Sequence, residues 1–217
     1  MGFIKFSGLW LMVVLMIVAL LSACSTTPRQ QIVDAPEETF DALPNPYLTH
    51  QKTPSSQAQA DFELALQAMQ SQDWQTAKTL LERMTQTYPS LSGPYVNLGL
   101  VHRQLHQQDK AIEAFTLAIA VNSLNSEAYN QLAILHREQG QFALAEQSYL
   151  QALEVWPHNP VVHRNLGILY DLYMGRFDDA LRHYRLSQKV ATEPERRVTG
   201  WIVDLQRRIS AEQAAAR

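Results

Sequence analysis

Hydrophobic and polar positions divide the chain into three stretches. Every residue from Leu9 to Leu21 is apolar, whereas no apolar periodicity is sustained between Ser25 and Gln57. From about residue 58 apolar side chains recur at helical spacing, and the pattern copies itself at an offset of 34 residues. The offset aligns Leu64, Leu98, Leu132 and Leu166, and beside them the small residues Ala65, Gly99, Ala133 and Gly167. Further on it aligns Ala77, Ala111 and Ala145, then Leu81, Phe115 and Tyr149, then Pro89, Ser123 and Pro157. Four units follow, 58–91, 92–125, 126–159 and 160–193, and each predicts two amphipathic helices. The small column lets the paired helix come close, and the larger column fills the space beyond. One helix pair cannot bury its apolar faces alone, so the units must stack into a continuous core.

A 34-residue period with small residues at the helix crossing and proline near the unit end resembles the tetratricopeptide repeat family, and the resemblance covers about 58–193. It implies an all-α solenoid of about four helix-turn-helix repeats, with a protein-binding concave face lined by the first helix of each unit. The fourth unit departs from the period: its alanine, Ala180, falls one residue late, which predicts a longer or bulged loop around Met174, Gly175 and Arg176. After Pro194, the residues Val198, Trp201, Ile202, Leu205 and Ile209 make one apolar stripe backed by Arg and Asp. This predicts a capping helix within 194–217, which a solenoid needs at its open end; a membrane-surface helix is the other reading. Gly200 inside it costs about 1 kcal/mol relative to alanine.

The apolar run at the start is preceded by Lys5 and followed by small Ser22 and Ala23. Thirteen residues are too few for a spanning helix, which needs about 20, and suit the core of a secretory signal, roughly 7 to 15. Leu21-Ser22-Ala23-Cys24 resembles the lipobox of bacterial lipoproteins; the alternative is an uncleaved anchor. The resemblance implies that residues 1–23 are a signal peptide removed before Cys24, and that this cysteine, the only one in the chain, carries the acyl chains. The mature chain then has no thiol for a disulfide or a nucleophile. Several acyl chains, each contributing about 0.8 kcal/mol per buried methylene, hold it on a membrane. Ser25, a residue other than Asp after the cysteine, implies the outer membrane facing the periplasm by the sorting rule of enteric lipoproteins, with the inner membrane as the alternative. Residues 24–57 hold five of the ten prolines among Ser, Thr, Gln and Asp and read as a tether, or as an arm docked through Phe40, Tyr47 or Leu48.

Charge and chemistry narrow the function. Removing residues 1–23 takes away Lys5 and no acid, so 18 minus 21 becomes 17 minus 21, a net charge of −4. Arg196-Arg197 and Arg207-Arg208 are isolated pairs, so no nucleic acid is expected. The histidines are the only metal or catalytic candidates. His102 and His136 are one repeat apart, and His102 with His106 has the i, i+4 spacing that can place two imidazoles on one helix face. No Asp, Glu or Cys completes a coordination sphere. His102 and His136 occupy a column that usually holds tyrosine in the family, as Tyr170 does here, and the resemblance implies packing. Asp171, Asp178 and Asp179 read as turn and capping residues. No catalytic motif is present; no enzymatic activity, cofactor, metal or small-molecule substrate is expected.

Partner binding is therefore expected on the concave face. Family members that grip a terminal carboxylate use Lys, Asn and Arg on three successive first helices; the matching positions here are Phe62, Leu66, Asn97, Glu127 and Gln131, and only Asn97 fits. What lines the face is the column Leu66, Leu100, Ile134 and Ile168 with Phe62 and Val96 beside it. Arg103, Arg137, Glu138, Arg164 and Asp171 form a polar rim. Such a face suits an amphipathic helix or an extended apolar peptide; the column can equally be solenoid core, or be covered by the arm. In architecture the chain resembles the pilotin-like lipoproteins of type IV pilus and secretion systems. A membrane-anchored scaffold for an envelope assembly is the function this implies. An adaptor of peptidoglycan-modifying enzymes and a histidine-based metalloenzyme are the alternatives.

Overall fold

A computed structural model describes residues 42–50 and 53–216, which belong to one compact unit, Phe40–Arg217. Cys24 and the apolar run before it lie outside the described residues. A short helix, α1 (Pro46–His50), precedes four helix pairs and a final helix. The pairs are α2 (Ser56–Gln70) with α3 (Trp74–Thr87), α4 (Ser92–Gln104) with α5 (Gln108–Val121), α6 (Ser126–Glu138) with α7 (Phe142–Val155), and α8 (Pro160–Leu169) with α9 (Phe177–Val190). The last helix is α10 (Arg196–Ala215). No described helix is long and apolar enough to cross a membrane.

Local chemistry fixes the element boundaries. Ser55, Asp73, Asn125 and Asn159 cap α2, α3, α6 and α8 by accepting from backbone N–H groups of the first turn. Within the first three pairs the chain reverses through a residue with left-handed backbone, Gln72 (φ 61°), His106 (φ 58°) and Gly140 (φ 74°), again 34 residues apart. His106 is therefore a turn residue beyond the end of α4. The spacing that could have set it on one face with His102 is not used, because the helix has already stopped.

Packing follows the columns. Ala65, Ala133, Leu81, Phe115 and Tyr149 are fully buried, and Tyr184, which takes the same place in the fourth unit, is 1% exposed. Gly99 and Gly167 stand so close to rings that a Cβ built on them would lie 2.5 Å from Phe115 Cε1 and 2.6 Å from Tyr184 Cδ1. Each pair packs on the next, and successive first helices touch (α4 with α6, α6 with α8) more extensively than second helices do. The face lined by first helices is thus the inner, concave one. At the far end Val198 and Leu205 of α10 are fully buried, with Trp201, Ile202 and Ile209 packed on the same cluster, so α10 caps the stack. Leu64 is half exposed, with no earlier unit among the described residues to cover it.

The fourth unit takes up its extra residue at the end of its first helix. Tyr170–Met174 form a π turn, closed by Gly175 with φ 65° and an N–H bond back to Tyr170 O. The bulge anticipated around Met174 begins four residues earlier, and it pushes Leu172 (66% exposed) and Tyr173 (46% exposed) out of the stack.

Candidate partner-binding groove

The concave face is built from the residues of α2, α4, α6 and α8 one helical turn apart. Leu66, Leu100, Ile134 and Ile168 are half-buried, as a column with one flank in the core and one toward the groove would be. Phe62 is half-buried as well, but Val96 is 5% exposed and sits in a cluster with Phe115 and Ala128. Val96 is therefore core, not a groove anchor: it lies between α4, α5 and the incoming start of α6. The other positions compared with a carboxylate clamp satisfy themselves along their own helices. Asn97 Nδ2 donates to Gly93 O at 3.0 Å and Gln131 Nε2 to Glu127 Oε1 at 2.6 Å. Burial of the Glu127 carboxyl raises its pKa above the ordinary value despite the hydrogen bonds it accepts from the Gln131 and Asn130 amides.

The rim arginines behave differently from one another. Arg103 grips Glu138 of the next unit through Nε and Nη2. Arg164 pairs with Glu195 just before α10. Asp171 accepts from Arg208 Nη1 at 2.7 Å, tying the cap to the fourth unit. Arg137 has no carboxylate within pairing distance among the described residues; its guanidinium lies over the Tyr173 ring, 5.8 Å from the centroid.

The arm is not a free tether where it is described. Trp156 Nε1–H donates to Leu43 O at 2.8 Å, and Leu43 N–H donates to His158 Nδ1 at 2.6 Å. Tyr47 closes a cavity of about 240 Å³ with Pro54, Ala58, Phe62, Met84 and Pro94. Among the described residues the arm thus runs along the edge where the first helices begin, and it meets the proposed groove at Phe62. Leu48, named above as a possible contact, is 69% exposed.

Histidine chemistry is structural. His102 and His136 each place Nδ1 at 2.8 Å from a side-chain amide oxygen five residues on, Gln107 and Gln141 respectively. An amide oxygen only accepts, so both Nδ1 atoms carry the proton. The residues that sequence spacing missed are His163 and His183, whose Nδ1 atoms are 2.9 Å apart in the interior. His163 Nε2–H donates to Pro157 O at 2.9 Å, which leaves its Nδ1 to accept from His183 Nδ1–H. This arrangement needs the accepting His163 ring neutral, and a charge on either ring is opposed by burial. Burial, and for His183 the neighbouring His163 and Arg182, lower both pKa values, that of His183 to about 4. The folded chain therefore binds fewer protons than the unfolded one between pH 6.5 and about 4. Stability is full above 6.5 and falls as pH drops through this window. Asp61, Asp73 and Asp179 have lowered pKa values, so their contribution is lost only below about pH 4. The urea midpoint is expected to fall between pH 7 and 4.5, and His183→Asn to flatten that fall; an unchanged slope in the variant would place the protons elsewhere.

Fold and face together define a helical-repeat scaffold for protein interaction, without a group of metal-ligating side chains among the described residues. Three sequence models described as tetratricopeptide repeat match residues 59–90, 93–123 and 124–193, and the chain belongs to that family. Among solved structures it is similar to pilF of Pseudomonas aeruginosa, at 23% identity and TM-score 0.64 over 71% of this chain and 69% of that one. It is also similar to MamA, at 20% identity and TM-score 0.55 over 61% of this chain and 77% of that one. A MamA RS-1 double mutant matches 76% of this chain and 91% of that one at 13% identity and TM-score 0.60. At these identities the likeness is one of fold.

Proposed function

We propose that the chain is a membrane-anchored, non-catalytic scaffold lipoprotein that binds protein partners in its concave groove and serves an envelope assembly, in the manner of pilotin-like lipoproteins. The observation that carries the reading is the half-buried apolar column Leu66, Leu100, Ile134 and Ile168 on the face where first helices meet. A column open on one flank and bordered by charged side chains suits a peptide with apolar anchors. The lipobox-like Leu21-Ser22-Ala23-Cys24 supports attachment at Cys24, and Ser25 after it supports the outer membrane. Cys24→Ala is expected to keep the circular dichroism of the solenoid while the protein leaves the membrane fraction or stalls unprocessed. Capture from solubilised membranes is expected to recover a protein partner that Leu100→Asp loses. A processed, membrane-bound Cys24→Ala chain would end the anchoring half of the reading, and recovery of the wild-type chain alone would end the scaffold half.

A further inference from the structure

Three tyrosine hydroxyls are satisfied in one recurring way, whereas that of Tyr95 donates to Thr85 O. Tyr88 Oη donates to Asp61 Oδ2 at 2.7 Å, and Arg83 stands 4.0 Å from the same carboxylate. Tyr170 Oη donates to Glu146 Oε1 at 2.7 Å, and Arg176 Nη1 donates to that oxygen at 2.6 Å. Tyr184 Oη lies 3.4 Å from Asp171 Oδ2, and Arg208 holds the other oxygen. Each is a tyrosine, a carboxylate and an arginine, with the carboxylate between two donors. Such a charge-assisted arrangement is the stronger kind of hydrogen bonding.

A fourth set has two of the three members. Tyr149 occupies in the third unit the place that Tyr184 occupies in the fourth, and Arg137 stands one repeat before Asp171. The column that supplies a carboxylate beside Tyr184 therefore supplies a guanidinium beside Tyr149. Tyr149 is fully buried and its hydroxyl has no hydrogen-bond partner; Arg137 Nε is likewise buried and unpartnered. The Arg137 charge acts on the Tyr149 phenol, while burial pushes that phenol up to about 12. The neighbouring carboxylate, Glu138, is held by two hydrogen bonds from Arg103. Both donors thus lack an acceptor, and the repeat column puts them in the same neighbourhood. A third unmatched atom lies on the same helix: Gln131 Oε1, a buried acceptor six residues from Arg137, or about 9 Å along α6.

One ring lies across the place. Tyr173, on the π turn, lies over Arg137 and against the Phe142 ring at 5.1 Å between centroids. It is 46% exposed and is held by no hydrogen bond among those described. π turns of this kind recur at functional sites.

We infer that this part of the groove binds an acidic side chain of an extended, partly apolar peptide from a protein partner, with the carboxylate bridging Arg137 and Tyr149 beneath a displaced Tyr173. The inference rests on the proposed groove function and adds the charge of the partner. The flanking apolar residues of the peptide meet Ile134 and Ile168. The rim contributes one unpaired cation here, so the acid supplies complementary charge.

The test uses the full chain in detergent and two nonapeptides of alternating leucine and serine, one with glutamate at its centre and one with glutamine. Calorimetry is expected to show the glutamate peptide binding about tenfold more tightly, the scale of one hydrogen bond to a charged group. Arg137→Gln and Tyr149→Phe are each expected to reduce that preference to about twofold or less. Tyr149→Phe distinguishes binding from folding: removing an unpaired buried hydroxyl should leave Tm unchanged or raise it by about 2–4 °C. Equal binding of the two peptides, or binding of neither, overturns the inference. So does a Tyr149→Phe chain with lowered Tm and intact preference. Changing Asp34, Glu37, Glu38 and Asp41 together to their amides is expected to leave affinity unchanged. A gain above tenfold would identify the chain's own segment as the occupant and overturn the assignment to a partner. Equal binding of both peptides leaves the scaffold reading standing, since that reading is judged by fractionation and capture.

Discussion

Phe115→Ala is expected to lower stability by about 3–5 kcal/mol, a large part of the total for a domain of this size. Phe115 is fully buried at the crossing of α4 and α5, where Gly99 admits its ring to direct contact with backbone. Its cluster joins the short Ala111, Ala118 and Ala128 to Val96 and Leu135, and such a close-packed site relaxes only in part into the vacated space. The reciprocal change is informative. Gly99→Ala improves helix propensity by about 1 kcal/mol, yet puts a methyl 2.5 Å from the Phe115 ring, and overpacking of that kind costs about 1–3 kcal/mol. A net loss is expected, smaller than that of Phe115→Ala. The first unit shows the remedy, since Ala65 there is matched with Leu81, both fully buried. Gly99→Ala/Phe115→Leu should therefore be more stable than the sum of the two single changes by at least about 0.5 kcal/mol. Urea midpoints of the four proteins close the cycle, and strict additivity would mean that the two columns do not read each other.

The same columns explain why the fold was legible and much of the groove was not. A 34-residue period specifies who packs on whom before any coordinates exist, because each unit meets its neighbour in the same register. The cap was legible too: Val198, Trp201, Ile202, Leu205 and Ile209 can share one face only in a helix. Side chains whose partners lie at other separations leave no such trace. Arg208 meets Asp171 across 37 residues, Tyr170 meets Glu146 across 24, and His163 meets His183 across 20. None of these separations is a multiple of the repeat, so none stands out in an alignment of the chain with itself. Val96 was misplaced for a related reason. Its column reads Phe62, Val96, Asn130 and Arg164, and position alone does not tell which of them the next unit covers. Docking of Leu43 on Trp156 and His158 was hidden because the arm is bound through its backbone, which carries no sequence signal. The π turn was half legible: Ala180 gave the count of the extra residue, but not where the helix would widen to take it.

Asn159→Ala is expected to cost about 2–3 kcal/mol and, more tellingly, to uncouple the fourth unit from the third. Asn159 is 4% exposed and holds both at once. Its Oδ1 caps α8 by accepting from Val161 N–H and Val162 N–H, at 3.1 and 3.2 Å. Its Nδ2 donates to Ser126 Oγ at 3.0 Å, and that hydroxyl donates onward to Ala152 O. Loss of a cap costs about 1–2 kcal/mol and an unmade buried hydrogen bond about 1 more. One repeat earlier Asn125 makes the same pair of attachments, to Ala128 N–H and to Ser92 Oγ at 3.0 Å. One repeat before that the position is Leu91, which has no side-chain bond to the helix it precedes. The junctions of a solenoid contribute separately to its cooperativity, so the chain carries its own control. In native-state hydrogen exchange α2 and α3 should open at lower free energy than α6 to α8, because the first junction lacks this bridge. Asn159→Ala should bring α8, α9 and α10 down to exchange as a second early-opening block while α4 to α7 keep their protection. Uniform loss of protection along the whole chain would show instead that the solenoid unfolds as one cooperative unit. The asparagine would then be a cap and no more.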